Sequence, residues 1–496
     1  MKVLLASLAI EPATRSDNFR NAAYPIGLAY LHAVLQRAGH TARLLFYNNF
    51  DYSYSDENFF RELDEMRPEV VGFQIFSMNR ISTFAAIEKL RALNPDVRIV
   101  VGGVHASIMA AQIVERFPYV VAVIGEGEET LLELLESFQG GRQLREVKGI
   151  CYSDGRGPVI TGERELITDL DSLPFPSHEV FFESEPARDI AHMVASRGCP
   201  FDCSFCCLKA VSRRRYRARS VEKVVQEIKE LKARYPQLKE IQFHDDTLLL
   251  DNQRIIKMCK QLAEADLGVD FVCSARVKPI SEEMFLWMRK AGFTKIMFGL
   301  ETGSPKLLDA IHKKITRQDV LDLFNALRPF DFDITTFLMC GFPGETLETI
   351  DETIALVRET QRIHYNWIAG VGKLFVYPGT EVYSVMKAAG KIDDSFWLTD
   401  KPVPYFTVEH DLQGLIRLEE RLMVNLSFLR IFTFKGFINH FLSMPGVITR
   451  VLLMPKNRKI LLSIFAGQLQ RSFPGFYSRL YGGYQRFLRR RSLARA

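Results

Sequence analysis

Short runs of Val, Ile and Leu recur along this chain with helix-length amphipathic stretches between them, and that alternation leaves few folds open. Over residues 1–140 the apolar runs are KVLLASLA (2–9), ARLLFY (42–47), EVVGFQIF (69–76), VRIVVGG (97–103) and VVAVIG (120–125). Helical spacing marks Gly27–Ala38, Ile81–Leu93 and Glu129–Phe138 between them. Strands that are apolar at nearly every position are covered on both faces, and regular strand–helix alternation specifies a parallel, doubly wound sheet. Such sheets bind ligands beyond the carboxyl ends of their strands.

Residues 141–188 are polar and turn-rich, with SDGRGP and then DLDSLPFPSHEV, and read as an irregular linker. A second α/β series follows over 189–405. Its expected strands are IAHMVAS (190–196), EIQFHDD (240–246), VDFVCSA (269–275), KIMFGLE (295–301), ITTFLMCG (334–341) and GVGKLFVY (370–377), with helices such as Ser220–Arg234, Arg254–Ala265 and Glu282–Ala291. Six βα units are too few for a closed eight-stranded barrel and enough for a partial one. Past about residue 405 the alternation stops, and 406–496 reads as a mainly helical, Phe-, Leu- and Arg-rich region.

The chain has 496 residues, 47% hydrophobic and 25% charged, ample for several apolar cores. Its start, MKVLLASLAIEP, reads as a first strand rather than a secretory signal, and no apolar run is long enough to span a bilayer, so a cytoplasmic location is expected. Four of the eight cysteines fall between 199 and 207, which is no disulfide framework. A tight cluster in a reducing compartment points to metal or redox chemistry. Charge is uneven: residues 421–496 carry 14 Lys or Arg and no acid, leaving 50 basic against 59 acidic side chains in the rest.

The densest motif is Ser196-Arg-Gly-Cys199-Pro-Phe-Asp-Cys203-Ser-Phe-Cys206, directly after an expected strand. Thiolates are soft ligands for iron–sulfur clusters or zinc. Zinc usually takes four ligands, and Cys207, adjacent to Cys206, is poorly placed to join the same tetrahedron. Three ligands on a cubane leave one iron open to a substrate. Cys-x3-Cys-x2-Cys with an aromatic, Phe205, before the third cysteine resembles the signature of the radical S-adenosylmethionine enzymes. The resemblance implies a [4Fe–4S] cluster on Cys199, Cys203 and Cys206, with S-adenosylmethionine on the open iron and one electron cleaving the sulfonium to a 5′-deoxyadenosyl radical.

It also implies roles for later residues. Phe205 would pack beside the adenine. His244-Asp245-Asp246-Thr247 would meet the methionine part, with Asp245 and Asp246 accepting from its ammonium; helix capping is the competing reading of these residues. Arg276 would pair with the carboxylate, an ordinary surface arginine being the alternative. Glu301 matches the ribose-binding carboxylate. Gly341-Phe-Pro-Gly-Glu345-Thr346 and Tyr377-Pro-Gly-Thr380 resemble strand-end loops that bring backbone close to a ligand.

Three segments of the N-terminal region resemble the cobalamin-binding domain that precedes many members of this superfamily: Pro25-Ile-Gly27-Leu, Val101-Gly102-Gly103-Val-His105 and Ile124-Gly125-Glu126-Gly127-Glu128-Glu129. The linker's DLDSLPFP is similar to that subfamily too. The Asp-x-His-x-x-Gly segment that gives some cobalamin enzymes a lower histidine ligand is absent; the loop reads EPATRSDNFRNAAYP. His105 reads as a loop or core histidine. With cobalamin, the implied reaction is methylation of an unactivated carbon; cyclisation or rearrangement of a porphyrin or hopanoid-like molecule is the alternative.

The basic region, with LMVNLSFLRIFTFKGFINHF and RFLRRRSLARA, suits peripheral association with an anionic membrane and a hydrophobic substrate. A lid packed on the barrel is the competing reading. An external electron donor such as a flavodoxin or ferredoxin is implied. Nucleic acid is not favoured as a partner, because no second cysteine cluster or RNA-binding module is present in the sequence. No residue is assigned a catalytic role.

Overall fold

The computed structural model describes residues 1–10, 23–48, 50–364, 367–402 and 406–426. The basic segment 427–496 and loop residues 11–22 lie outside the described residues, and with them most of the expected helical C-terminal region. The chain divides into a compact unit Met1–Ile416 and a second unit Arg417–Ala496.

Strands β1 (Lys2–Ser7), β2 (Thr41–Phe46), β3 (Val70–Gln74), β4 (Arg98–Gly102) and β5 (Val120–Val123) form a parallel sheet in the order β2-β1-β3-β4-β5. The order reverses between β1 and β3, which is where doubly wound sheets open a crevice. Alternate residues feed two cores: Leu4 and Ala6 lie in one, Val3 and Leu5 in the other. The helices that flank these strands include Ile26–Arg37, Arg80–Leu93 and Glu128–Phe138, close to the expected bounds, and also Tyr52–Met66. The sheet does not stop at residue 140. Strands β6 (Ile150–Ser153) and β7 (Pro158–Ile160) extend its edge antiparallel, so part of the segment read as an irregular linker is sheet.

The second sheet is wholly parallel and has six strands: β8 (Ile190–Met193), then β11 (Glu240–Phe243), β12 (Asp270–Ala275), β13 (Phe293–Glu301), β14 (Asp333–Cys340) and β15 (Trp367–Lys373), neighbours in that order. This is the open, partial barrel. Between β8 and β11 a two-residue ribbon pairs β9 (Ser196–Arg197) with β10 (Arg217–Ala218), closing the cysteine-bearing excursion at its base. Side-chain oxygens of Ser220, Asp251, Ser281 and Thr316 cap the helices that follow, fixing where each begins.

The two α/β parts share a core. Leu4, Phe73 and Val101 of the first sheet belong to the same buried apolar cluster as Leu307, Ile311, Phe342, Leu374 and Trp397 of the barrel side. Gln112 Nε2 also donates to Asp394 Oδ2 at 3.3 Å across this seam. None of the described helices is long and apolar enough to cross a membrane.

Candidate active site

Gly198 starts the cysteine loop. Its φ is +84°, and an added Cβ would lie 2.1 Å from the Arg215 carbonyl oxygen, so both backbone angle and space demand glycine. Three anchors then fix the loop. Gly198 N–H donates to Asp246 Oδ2 at 2.9 Å, Ala195 N–H donates to Asp245 Oδ2 at 2.9 Å, and Ser196 Oγ–H donates to Asp245 Oδ1. Further along, Ser204 N–H donates to the Ile311 carbonyl at 3.1 Å, and Glu381 N–H to the Ser204 carbonyl at 2.9 Å.

Cys203 is buried, and Cys199 and Cys206 are partly so. Burial pushes the Cys206 thiol up to about 11 and raises Cys199; proximity of the other cysteines adds to both. Bound positive charge, as an iron cluster would supply, would stabilise these thiols as thiolates. Among the described residues no three His, Cys, Asp or Glu side chains are grouped as ligands of a single ion. Three soft thiolate donors on one loop fit an iron–sulfur cubane with one iron left free for a further ligand.

The expected S-adenosylmethionine residues gather around this loop. The Arg276 guanidinium stacks over Phe201 at 3.7 Å, and its Nη1 lies 3.3 Å from Cys203 Sγ. Its Nη2 donates to the Lys313 carbonyl. Glu301, buried with φ +66°, accepts from Lys313 Nζ at 2.7 Å. Lys313 Nζ in turn sits 5.7 Å from the Phe205 ring centre, and Phe205 meets Phe342 at 5.6 Å. Gly341, next to Phe342, donates its N–H to the buried Glu345 carboxylate, which burial pushes up to about 7.

Two adjacent carboxylates separate. Asp245 is 4% exposed with both oxygens bonded to the loop, and burial pushes it up to about 6. It lies under the loop, which differs from the expectation of ligand contact. Asp246 faces a cavity instead. Sequence reasoning missed Lys313, which its neighbour Lys314 masks, and the pairing of Glu126 and Glu128, in the segment it singled out, with Arg197 and Arg217.

That cavity, about 370 Å³, lies at the carboxyl ends of β1, β3, β4 and β5. Gly27, Gly72, Gly102, Gly103, Gly125 and Gly127 line one side with Leu31 and Leu131; Arg197, Gly198, His244 and Asp246 line the other. At Gly103, with φ +93°, an added Cβ would meet the Ile75 carbonyl at 2.9 Å. The glycine-rich side lets a flat group lie against backbone, and the volume matches one part of cobalamin, such as its nucleotide tail, rather than the whole molecule. His105 does not reach it. The ring is 1% exposed, bonded through Nδ1 to Ser77 Oγ at 2.9 Å, packed on Trp397, and pushed down to about 3 by burial. His244 does line the cavity, with Nε2 2.8 Å from His192 Nδ1.

Comparison with known proteins agrees with this geometry. Residues 193–357 match the radical SAM superfamily and residues 15–135 the B12 binding domain. The chain belongs to the cobalamin-binding-domain-containing radical S-adenosylmethionine enzymes, and its cofactors are a [4Fe–4S] cluster, S-adenosylmethionine and cobalamin. It is 29% identical to an uncharacterized methyltransferase of Pyrococcus horikoshii over 72% of this chain and 77% of that one. It is 24% identical to the hopanoid C-3 methylase of Methylococcus capsulatus, covering 78% and 72%. With the anaerobic magnesium-protoporphyrin IX monomethyl ester cyclase of Rubrivivax gelatinosus it shares 27% identity over 69% of this chain but only 63% of the relative. The fold is that of the cobalamin-dependent S-adenosylmethionine radical enzyme OxsB, with TM-score 0.72 at 18% identity over 95% of this chain and 71% of that one. The methyltransferase TsrM of Kitasatospora setae gives 0.65 at 20% over 85% and 83%.

Proposed function

We propose that this protein is a cobalamin-dependent radical C-methyltransferase acting on an unactivated carbon of a hydrophobic small molecule. The observation that supports the reading is the glycine-walled cavity facing the base of the cysteine loop, where a bound cobalamin would lie beside the residues that lead into the cluster. When bound, the cluster and S-adenosylmethionine supply a carbon radical by hydrogen-atom abstraction, and cobalamin supplies the methyl group.

The chain's own residues bind and orient. Cys199, Cys203 and Cys206 hold the cluster, with Arg276 placing positive charge beside Cys203. Phe205 and the Glu301–Lys313 pair form an apolar and charged surface on the barrel side, suited to an adenine ring and a ribose diol. Asp246, rather than Asp245, is the carboxylate available to an ammonium group. Gly341 shapes the neighbouring strand end through Glu345. Gly102, Gly103, Gly125 and Gly127 admit the cobalamin.

The hydrophobic character of the substrate rests on the basic, Phe-rich segment after residue 426, proposed to lie on an anionic membrane surface. An acidic one-electron donor of the flavodoxin or ferredoxin class is the proposed reductant. The domain division proposed is 1–140, 141–188, 189–405 and 406–496, with β6 and β7 of the linker added to the first sheet. The similarity to the cyclase supports cyclisation as the second reading. Anaerobic reconstitution with cobalamin, followed by mass spectrometry of the product from methyl-labelled S-adenosylmethionine, separates them: methylation transfers the label to the product, and cyclisation does not.

A further inference from the structure

The two sides of the glycine-walled cavity are joined by buried charge. Arg197 directs Nη1 to Glu126 Oε1 at 3.0 Å and Nη2 to Glu128 Oε1 at 2.6 Å. Arg217, its partner across the β9–β10 ribbon, reaches Glu126 Oε2 at 2.8 Å, and Ile167 N–H donates to that oxygen at 2.8 Å. The four side chains are 6% to 18% exposed, and the Arg197 guanidinium also covers the Tyr30 ring at 4.9 Å. Glu126 and Glu128 belong to the turn that carries Gly125 and Gly127. Arg197 is two residues before Cys199, with Gly198, where no side chain fits, between them.

Glu126, Glu128, Arg197 and Arg217 all line the cavity. Filling it removes water from the ion pairs and so strengthens them, because charge interactions grow as the local dielectric falls. Arg197 is then held harder against the N-terminal turn. Gly198, its N–H tied to Asp246 Oδ2, links Arg197 directly to Cys199. We propose that Arg197 is a positioning residue through which occupancy of the cavity and the geometry of the cluster loop are set together. The inference rests on the reading that the cavity takes cobalamin.

Coupling of this kind is reciprocal, so binding measurements reveal it without turnover. Aquacobalamin is titrated anaerobically, by absorbance, into full-length protein with the cluster reconstituted and into protein without it. The affinities should differ by roughly fivefold or more, at the lower end of ordinary coupling between sites. Cobalamin should also shift the paramagnetic spectrum of the reduced cluster. Arg197→Lys keeps the charge but loses the two-pronged contact, and should bring the affinity ratio towards one; Glu128→Gln should do the same. Arg164→Gln, which removes contacts to Glu129 and Glu133 outside the cavity, should leave the ratio unchanged. Cobalamin bound with equal affinity and no spectral shift in the native protein overturns the coupling, whatever the variants do. A ratio unaltered in Arg197→Lys and Glu128→Gln overturns the role of these residues. If neither form of the native protein binds cobalamin, the reading of the cavity itself fails, and this inference with it.

Discussion

Lys313 reaches Glu301 at 2.7 Å, and both side chains are less than a tenth exposed. A buried ion pair broken on one side leaves an uncompensated charge, at a cost of about 3 kcal/mol or more. Glu301→Gln should therefore lower thermal stability as well as S-adenosylmethionine affinity. Replacing both residues, Glu301→Gln with Lys313→Met, should recover much of the stability and none of the affinity. The affinity loss should be roughly ten- to hundredfold, the worth of a hydrogen bond to a charged group. Calorimetric titration and thermal melts on the two variants separate the effects. Native affinity in the double variant would leave Glu301 a structural role alone.

Cys199→Ala, Cys203→Ala and Cys206→Ala should each lose reconstituted iron and 5′-deoxyadenosine formation, while Cys207→Ala keeps both. Iron and sulfide analysis after anaerobic reconstitution checks this. Full cluster content in Cys203→Ala, the buried member of the three, would defeat the ligand assignment.

The contribution of Glu345 to stability should fall as pH rises from about 4.5 to 7, opposite in sign to that of buried, neutral His105 below about 6.5. Glu345 titrates near 7 in the folded chain because burial outweighs its bonds to the Gly341 and Phe342 backbone, against an ordinary value of 4.5. The folded state thus binds more protons than the unfolded state within that window, and the contribution, on the order of 3 kcal/mol, is present below it and lost through it. Glu345→Gln should flatten this part of a denaturant-midpoint profile. A slope identical to that of the native chain would show that Glu345 is ionised throughout.

Full-length protein should bind anionic vesicles better than neutral ones, and salt should weaken the preference, since charges are screened over roughly 10 Å at 0.1 M ionic strength. Each basic residue near such a surface contributes up to about 1 kcal/mol. Ending the chain after Leu426 should abolish binding, measured by co-sedimentation, while cluster and cobalamin remain. If full-length protein ignores vesicles and the shortened chain fails to fold, the segment is a packed lid, and the hydrophobic-substrate proposal loses its main support.

Strand positions are legible in this sequence because runs such as VVAV are buried at every residue, which a parallel sheet requires and a surface helix does not. The cysteine loop is legible because its spacing is itself the chemistry. The division of labour between Asp245 and Asp246 was within reach of the same reasoning. From Ile241 to Asp246 burial alternates residue by residue, so the extended chain turns one carboxylate inward and the other outward. The pairing of Glu301 with Lys313 was not. Lys313 and Lys314 are chemically equal in sequence, and only the fold sends the second, itself exposed, to Asp202. Nor does the turn Gly125–Glu129 announce that Arg197 and Arg217, some seventy to ninety residues on, neutralise it. Partners of that separation are fixed by topology, not by local pattern.

The apolar core shared by the first sheet and the barrel makes the two modules poor candidates for separate handling. A fragment ending near residue 150 would present Leu4, Phe73 and Val101 without the Leu307, Ile311, Phe342 and Trp397 that share their core. Such a fragment should aggregate or need detergent. Chimeras that exchange the N-terminal module between relatives should be soluble when the facing barrel residues travel with it. For anyone building new methylating enzymes from this family, the exchangeable part is therefore the seam, both sides at once, rather than either domain as drawn along the chain.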